Sequence, residues 1–233
     1  MPMRLLDQVY LVGGQDFHMV YVDWPANDAN VYLLDSGDTF VLVDCGCGDS
    51  LTGIIENIEC MGFDVADISH LLLTHAHFPH AGAADAVQRM GVEVCASHEA
   101  ADAVRAGDLR TAAFCYHRDF AACEGEVTVL EPDARLEVGA LDIRAVPLPG
   151  HSPGSMGYEV IAGERRMLFC GDAVRSPLLD ARRDRVDWDR AAAVASLRML
   201  LEDPPDTLWP GHGPFCLSHG RVWIEEELRK TLS

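Results

Sequence analysis

Three histidines fall within six residues, at His75, His77 and His80, in the stretch Leu-Leu-Leu-Thr-His-Ala-His-Phe-Pro-His-Ala-Gly that runs from Leu71 to Gly82. Neutral imidazole is the commonest side-chain metal ligand. His75 and His77 stand at i and i+2, so on an extended segment both rings point the same way. His80 follows after a short turn, at the start of the next helix. Histidines set this closely behind a buried apolar run point to metal binding; the plainer alternative is a polar loop that happens to hold them. Three more positions share the context of a strand giving way to a loop. His151 stands alone in Pro147-Leu148-Pro149-Gly150-His151-Ser152-Pro153-Gly154, Asp172 follows Gly171, and His212 sits in Pro210-Gly211-His212-Gly213-Pro214. A turn dense in Pro and Gly fixes the backbone, so one side chain is aimed reproducibly.

The elements that must position these groups alternate. Residues 4–12 and 18–23 read as short strands around Gly13-Gly14. Trp24, in the loop after them, is either an apolar flap over a site or a residue packed on the sheet. Asn30 to Leu34 and Thr39 to Asp44 pair across the turn Ser36-Gly37-Asp38. Asp44 ends the second strand just before a Gly-rich loop, where an Asp bonds neighbouring loops, so it is a candidate support behind a ligand. Asp49 or Ser50 caps a helix whose apolar face is Leu51, Ile54, Ile55, Ile58 and Met61. The histidine strand comes next, then a helix over about 83–90 stopped by Gly91, then a strand over 92–96. Residues 97–125 read as mostly helical; Phe114, Tyr116, His117 and Phe120 there either wall a substrate cleft or cover the sheet. Leu136 to Val146, Met156 to Ile161, Arg166 to Cys170 and Thr207 to Trp209 read as strands. Helices over Asp189 to Glu202, with Val194, Leu197, Leu200 and Leu201 inward, and over about 218–230 complete the chain. Strands alternating with helices predict a mixed or parallel sheet covered by helices.

Composition sets further bounds. The chain has 233 residues, enough for one domain over 1–233, with 48% hydrophobic and 24% charged residues. The formal net charge of −19 repels phosphate backbones and argues against a nucleic-acid partner. No run is apolar and long enough for a membrane span, and Met1 to Asp7 is not a secretion signal, so a cytoplasmic location is expected. Eight cysteines without CxxC pairing fit free buried thiols in a reducing compartment.

In a layered fold, strand-end positions gather along one edge of the sheet. Five imidazoles and one carboxylate there support two metal ions, with the carboxylate between them. Nitrogen and oxygen donors suit zinc, iron or manganese. At this point the chain resembles the metallo-β-lactamase fold superfamily, whose marker is Thr-His-x-His-x-Asp-His, then Pro-Gly-His-(Ser/Thr), then Gly-Asp, then Gly-His. Here these read Thr74-His75-Ala76-His77-Phe78-Pro79-His80, Pro149-Gly150-His151-Ser152, Gly171-Asp172 and Gly211-His212. The closing turns look most like the hydroxyacylglutathione hydrolase (type II glyoxalase) branch. The resemblance implies an α/β fold, a four-layer αββα sandwich with a dinuclear centre at one edge. It implies His75, His77 and His151 on a first metal, His80 and His212 on a second, and Asp172 bridging. Pro79 stands where the family has Asp, which weakens the second position and lowers the negative charge of the ligand set by one. His117 or a cysteine is a candidate to fill that gap.

The expected function is that of a metal-dependent hydrolase, with one or two divalent ions (zinc first, iron or manganese next) supplying hydroxide that attacks an ester or thioester carbonyl. His75, His77 and Asp172 carry the chemistry. Trp24, Tyr116, His117 and Arg175 are substrate-binding candidates. Arg175, Arg182, Arg183 and Arg185 either hold an anionic substrate tail or form a solvated loop paired with Asp180, Asp184 and Asp187. The expected partner is a small molecule, and assembly into a homo-oligomer is left open. Two other readings stand beside this one. A mononuclear non-haem iron dioxygenase of a thiol or persulfide would use His75, His151 and Asp172. A non-catalytic metal-binding protein would use the same pocket. A secreted β-lactamase is not expected without a leader.

Overall fold

The computed structural model describes residues 2–6, 8–14, 28–162, 165–175 and 187–233. Trp24, the strand expected over 18–23, and Asp180, Arg182, Arg183, Asp184 and Arg185 lie outside the described residues.

Among the described residues the strands form two sheets. The first has seven, in the order β1 (Met3–Leu6), β2 (Val9–Gly13), β3 (Val31–Asp35), β4 (Phe40–Val43), β5 (Ile68–Leu72), β6 (Glu93–Ala96) and β7 (Val127–Val129). Pairing is antiparallel through β4 and parallel from β4 to β7. The second has five, in the order β12 (Thr207–Pro210), β11 (Arg165–Gly171), β10 (Met156–Ala162), β9 (Leu141–Pro147) and β8 (Arg135–Val138). Its β11–β12 pair is parallel and the rest antiparallel.

Side-chain alternation along each strand builds the layers. On β2 and β3, Val9, Leu11, Tyr32 and Leu34 face one way, into a core shared with Ile143, Tyr158, Val160, Phe169 and Trp209 of the second sheet. Tyr10, Val12, Val31 and Leu33 face the other way. They pack with Ile54 and Ile58 of α1 (Leu51–Cys60), Ala84 and Val87 of α3 (Ala84–Arg89), and Val104 of α4 (His98–Ala106). On the far side of the second sheet, Val146, Leu168 and Leu208 meet Leu197 and Leu200 of α5 (Arg190–Glu202) and Ile224 of α6 (Gly220–Leu232). The result is the αββα sandwich that the resemblance implied, and both sheets are mixed. Covering both faces explains why these strands read as continuous apolar runs.

Several expected boundaries move. Ser50 stands at the N-cap of α1, but its hydroxyl bonds Cys47 O instead of capping, and a short 3-10 turn over Gly48–Ser50 precedes it. The helical reading of 97–125 fails beyond Tyr116. Gly107 takes a left-handed conformation and stops α4, and only 3-10 turns over Leu109–Thr111 and Ala113–Tyr116 follow. β7 was not anticipated. On α5 the buried face includes Ala193 in place of Val194. Among the described residues, no helix is long and apolar enough to cross a membrane.

Candidate metal centre

The first histidines do not sit on a continued strand. β5 stops at Leu72 because the Thr74 N–H turns away from the ladder to donate to Asp44 Oδ1 at 2.8 Å. The Thr74 hydroxyl donates to Asp44 Oδ2, also at 2.8 Å. Across the sandwich, Tyr158 OH donates to Leu73 O at 2.7 Å and Met156 N to Thr74 O at 2.7 Å. The loop is therefore fixed from both sheets. His75 and His77 still end side by side, with ring centroids 4.6 Å apart.

Pro79 lies in the first turn of α2 (Phe78–Ala81), where its missing N–H costs the helix nothing. Its carbonyl accepts from Ala29 N, and the turn lifts His80 into the cluster. Asp44, buried and left-handed at φ 60°, accepts from His80 Nδ1 at 2.7 Å and so directs Nε2 inward. Burial pushes the His80 pKa down, but Asp44 and Asp172 outweigh it and hold the ring at about 9.

The other half supplies the remaining groups. Gly150, at φ 139°, lies so close to α5 that a Cβ would fall 2.4 Å from Ala193 Cα, and this contact sets the direction of His151. Asp172 follows the end of β11. His212 follows β12 in a turn clasped by Asn30. The Asn30 side chain donates to Pro210 O at 3.0 Å and Gly213 O at 2.9 Å, its backbone N–H to Gly211 O at 2.6 Å, and Tyr32 OH to Pro210 O at 2.8 Å.

Five of the six expected residues fall into two groups of donor atoms. The donor atoms of His75, His77 and His151 lie within 4.8 Å of one another. His77 Nδ1 and His151 Nε2 are 3.0 Å apart, and His77 Nε2 faces Asp187 Oδ2 at 3.4 Å. The second group that comes within 4.8 Å is His75, His80 and Asp172. His212 stands further out, with Nε2 3.8 Å from Asp172 Oδ1 and its side chain 18% exposed. His75 thus borders both positions. His75, His151 and Asp172, the set expected for iron, do not form such a group among the described residues.

The residues fit a cation. The Nε2 atoms of His75 and His80 are buried without a hydrogen-bond partner among the described residues. Such atoms are costly unless something polar meets them. Burial, with His80, His77 and His151 alongside, holds the His75 pKa well below its usual value, so the ring is neutral and able to ligate. Burial raises the pKa of Asp172, but His212, His151 and His80 outweigh it and keep the carboxyl ionised.

The substrate-binding candidates fare differently. Tyr116 packs on Phe78, ring to ring at 5.8 Å, beside the histidine loop. His117 is exposed in a left-handed conformation, and no described contact brings it to the cluster. Arg175 does not belong to a solvated loop. It is buried, with Nη2 3.0 Å from His151 Nδ1 and 3.6 Å from Asp172 Oδ2. Asn30, Tyr32 and the contact of Asp187 with His77 were not anticipated as parts of the site, and Thr74 was read only as the first residue of the histidine motif. The available signal was a buried-type Asn opening an apolar strand.

Comparison with known proteins agrees with this architecture. The chain is 27% identical over 200 residues to the uncharacterized protein YobT of Bacillus subtilis, covering 81% of this chain and 84% of that protein. It is 29% identical over 180 residues to the hydroxyacylglutathione hydrolase GloC of Haemophilus influenzae, covering 72% and 78%. A solved B3 metallo-beta-lactamase with an active-site glutamic acid superposes with a TM-score of 0.76 at 27% identity, over 99% of this chain and 88% of that one. A relative named as a hydrolase and a histidine-rich cluster both support metal-dependent hydrolysis as the general chemistry. The profile of the metallo-beta-lactamase superfamily matches residues 24–212, a span that holds the whole cluster, and the chain belongs to that superfamily.

Proposed function

We propose that the protein hydrolyses a thioester or ester of a small acid, using a divalent cation held by His75 Nε2, His77 Nδ1 and His151 Nε2. The observation that carries this reading is the preformed triad of imidazole donors, with the buried Nε2 of His75 left to be met. A cation there would lower the pKa of a water to about 7 and polarise a carbonyl. Asp172, ionised among the histidines, would accept a hydrogen bond from the attacking water at a carboxylate oxygen and so orient it. Asp44 and Asp187 hold His80 and His77 by their outer nitrogens, so the rings need no reorientation on loading. His212 stands at the rim, its side chain 18% exposed. The likeness to a hydroxyacylglutathione hydrolase favours a thioester over an ester.

The test is metal analysis of the purified protein beside a panel of thioester, lactone and β-lactam substrates. Zinc with thioester turnover supports the reading; absence of metal, or turnover insensitive to chelators, refutes it. His75, His80 and Asp172 also make a two-imidazole, one-carboxylate set, the donor type of non-haem iron oxygenases. Iron in the protein, with oxygen uptake on a thiol or persulfide, would replace hydrolysis by that second reading. A cytoplasmic, small-molecule enzyme remains part of the proposal.

A further inference from the structure

Arg175 carries a charge that the hydrolytic reading leaves unused. After β11, Ala173 N donates to Cys170 O at 3.0 Å and Cys170 Sγ to Val174 O at 3.4 Å. Val174 is fully buried in the core beneath α5 and α6. This tight turn, anchored by Val174, returns Arg175 to the cluster, where its side chain is only 10% exposed. A guanidinium stays protonated at any working pH. A permanent cation therefore stands 3.6 Å from the carboxylate that both metal positions border, and 3.0 Å from a ring of the imidazole triad.

The two positions do not depend on that carboxylate equally. The first has three imidazoles, of which burial keeps His75 neutral. The second has His80 and Asp172, with His75 shared between the two positions; His80 Nε2 lies 3.5 Å and His212 Nε2 3.8 Å from Asp172 Oδ1. Pro79 offers it no ionisable group, and Asp44 faces the outer nitrogen of His80. The attraction of the second position for a dication thus comes mainly from Asp172, the group that Arg175 neutralises. We propose that Arg175 restricts the centre to one tightly held cation, by offsetting the charge of Asp172 and repelling a second dication. The inference rests on the metal-centre reading above and goes beyond it in fixing the stoichiometry and the residue that sets it.

The experiment is a zinc titration of chelator-stripped protein, followed by competition with a chromophoric chelator, with circular dichroism as the check on folding. Wild type takes up one tight equivalent. Arg175→Gln removes the charge at similar size and tightens the second equivalent by roughly tenfold or more. Arg175→Lys keeps the charge and keeps the single tight equivalent. Two tight equivalents in wild type, or identical behaviour of the Gln and Lys variants, overturn the proposal. Failure of wild type to bind any zinc strikes the metal-centre reading itself, so the two failures are told apart.

Discussion

Gly211 offers a steric test of how the second cation position is held. A Cβ built there would lie 2.3 Å from His80 Cε1 and 2.9 Å from Asp172 Oδ1. Ordinary contact begins at 3.4 Å, so the ring or the loop must give by 3.4 − 2.3 = 1.1 Å. The loop is pinned on both sides of the residue, by Gly211 N to Gly171 O at 2.8 Å and Asn30 N to Gly211 O at 2.6 Å. The ring is pinned through Nδ1 to Asp44. Gly211 is not in the left-handed region, so alanine brings no backbone penalty and the effect is steric alone. Overpacking costs about 1–3 kcal/mol, and losing a hydrogen bond to a charged group about 1.5–3 kcal/mol. Gly211→Ala should therefore destabilise the metal-free protein by roughly 3–5 kcal/mol. At this chain length that is a fall in Tm on the order of 10 °C. Calorimetry in chelator measures the fall, and a zinc titration should show the first equivalent kept and the second abolished. A Tm within about 2 °C of wild type, with an unchanged titration, would falsify the claim that His80 is locked between Asp44 and the Pro210–Gly213 turn.

Three further expectations follow from the same cluster. Pro79→Asp adds a carboxylate at the second position and should tighten a second zinc; two tight equivalents both before and after the change would show that Pro79 does not limit the site. His75→Ala removes a donor common to both groups and should abolish hydrolysis while leaving the circular dichroism spectrum intact; retained turnover refutes its role. Stability of the metal-free protein should fall on both sides of a maximum. The His80 pKa is raised from 6.5 to about 9, so its contribution is full below 6.5 and is lost as pH rises through 9, whereas buried neutral His75 makes the folded state lose ground to the unfolded chain as pH falls below 6.5. Thermal melts across that window check this, and His80→Gln should remove the alkaline limb; a wild-type profile that stays flat up to and beyond pH 9 contradicts the His80–Asp44 pairing.

The parts of the fold that were legible in the sequence are those with a period. Ile54 and Ile58 recur at helical spacing and are buried on α1, and the apolar runs of β3, β4, β10 and β11 lie in the sheets where expected. The ligand residues were legible because strand ends converge in a layered fold, a consequence of topology more than of local pattern. What escaped was set by contacts between distant segments. Thr74 leaves the strand because a carboxylate 30 positions away competes for its N–H. Arg175 turns inward because Val174 is anchored in the core. The extended helix over 97–125 does not form because Gly107 ends α4 in a left-handed cap, and composition alone did not show how few of the following residues would resume one. β7 is three residues long, too short to show alternation.

His75, His77 and His80 come from the segment that follows β5 of the seven-stranded sheet, whereas His151, Asp172 and His212 come from loops of the five-stranded sheet. A bound ion would act as a rivet through the seam between the two halves of the sandwich, where apolar packing supplies most of the grip. At a thousandfold excess of free ion over its dissociation constant such a rivet is worth about 4 kcal/mol. Metal supply would then govern how long each molecule survives: starved of zinc, the halves would part more often and expose their shared face to proteases, coupling turnover of the protein to the availability of the ion it works with.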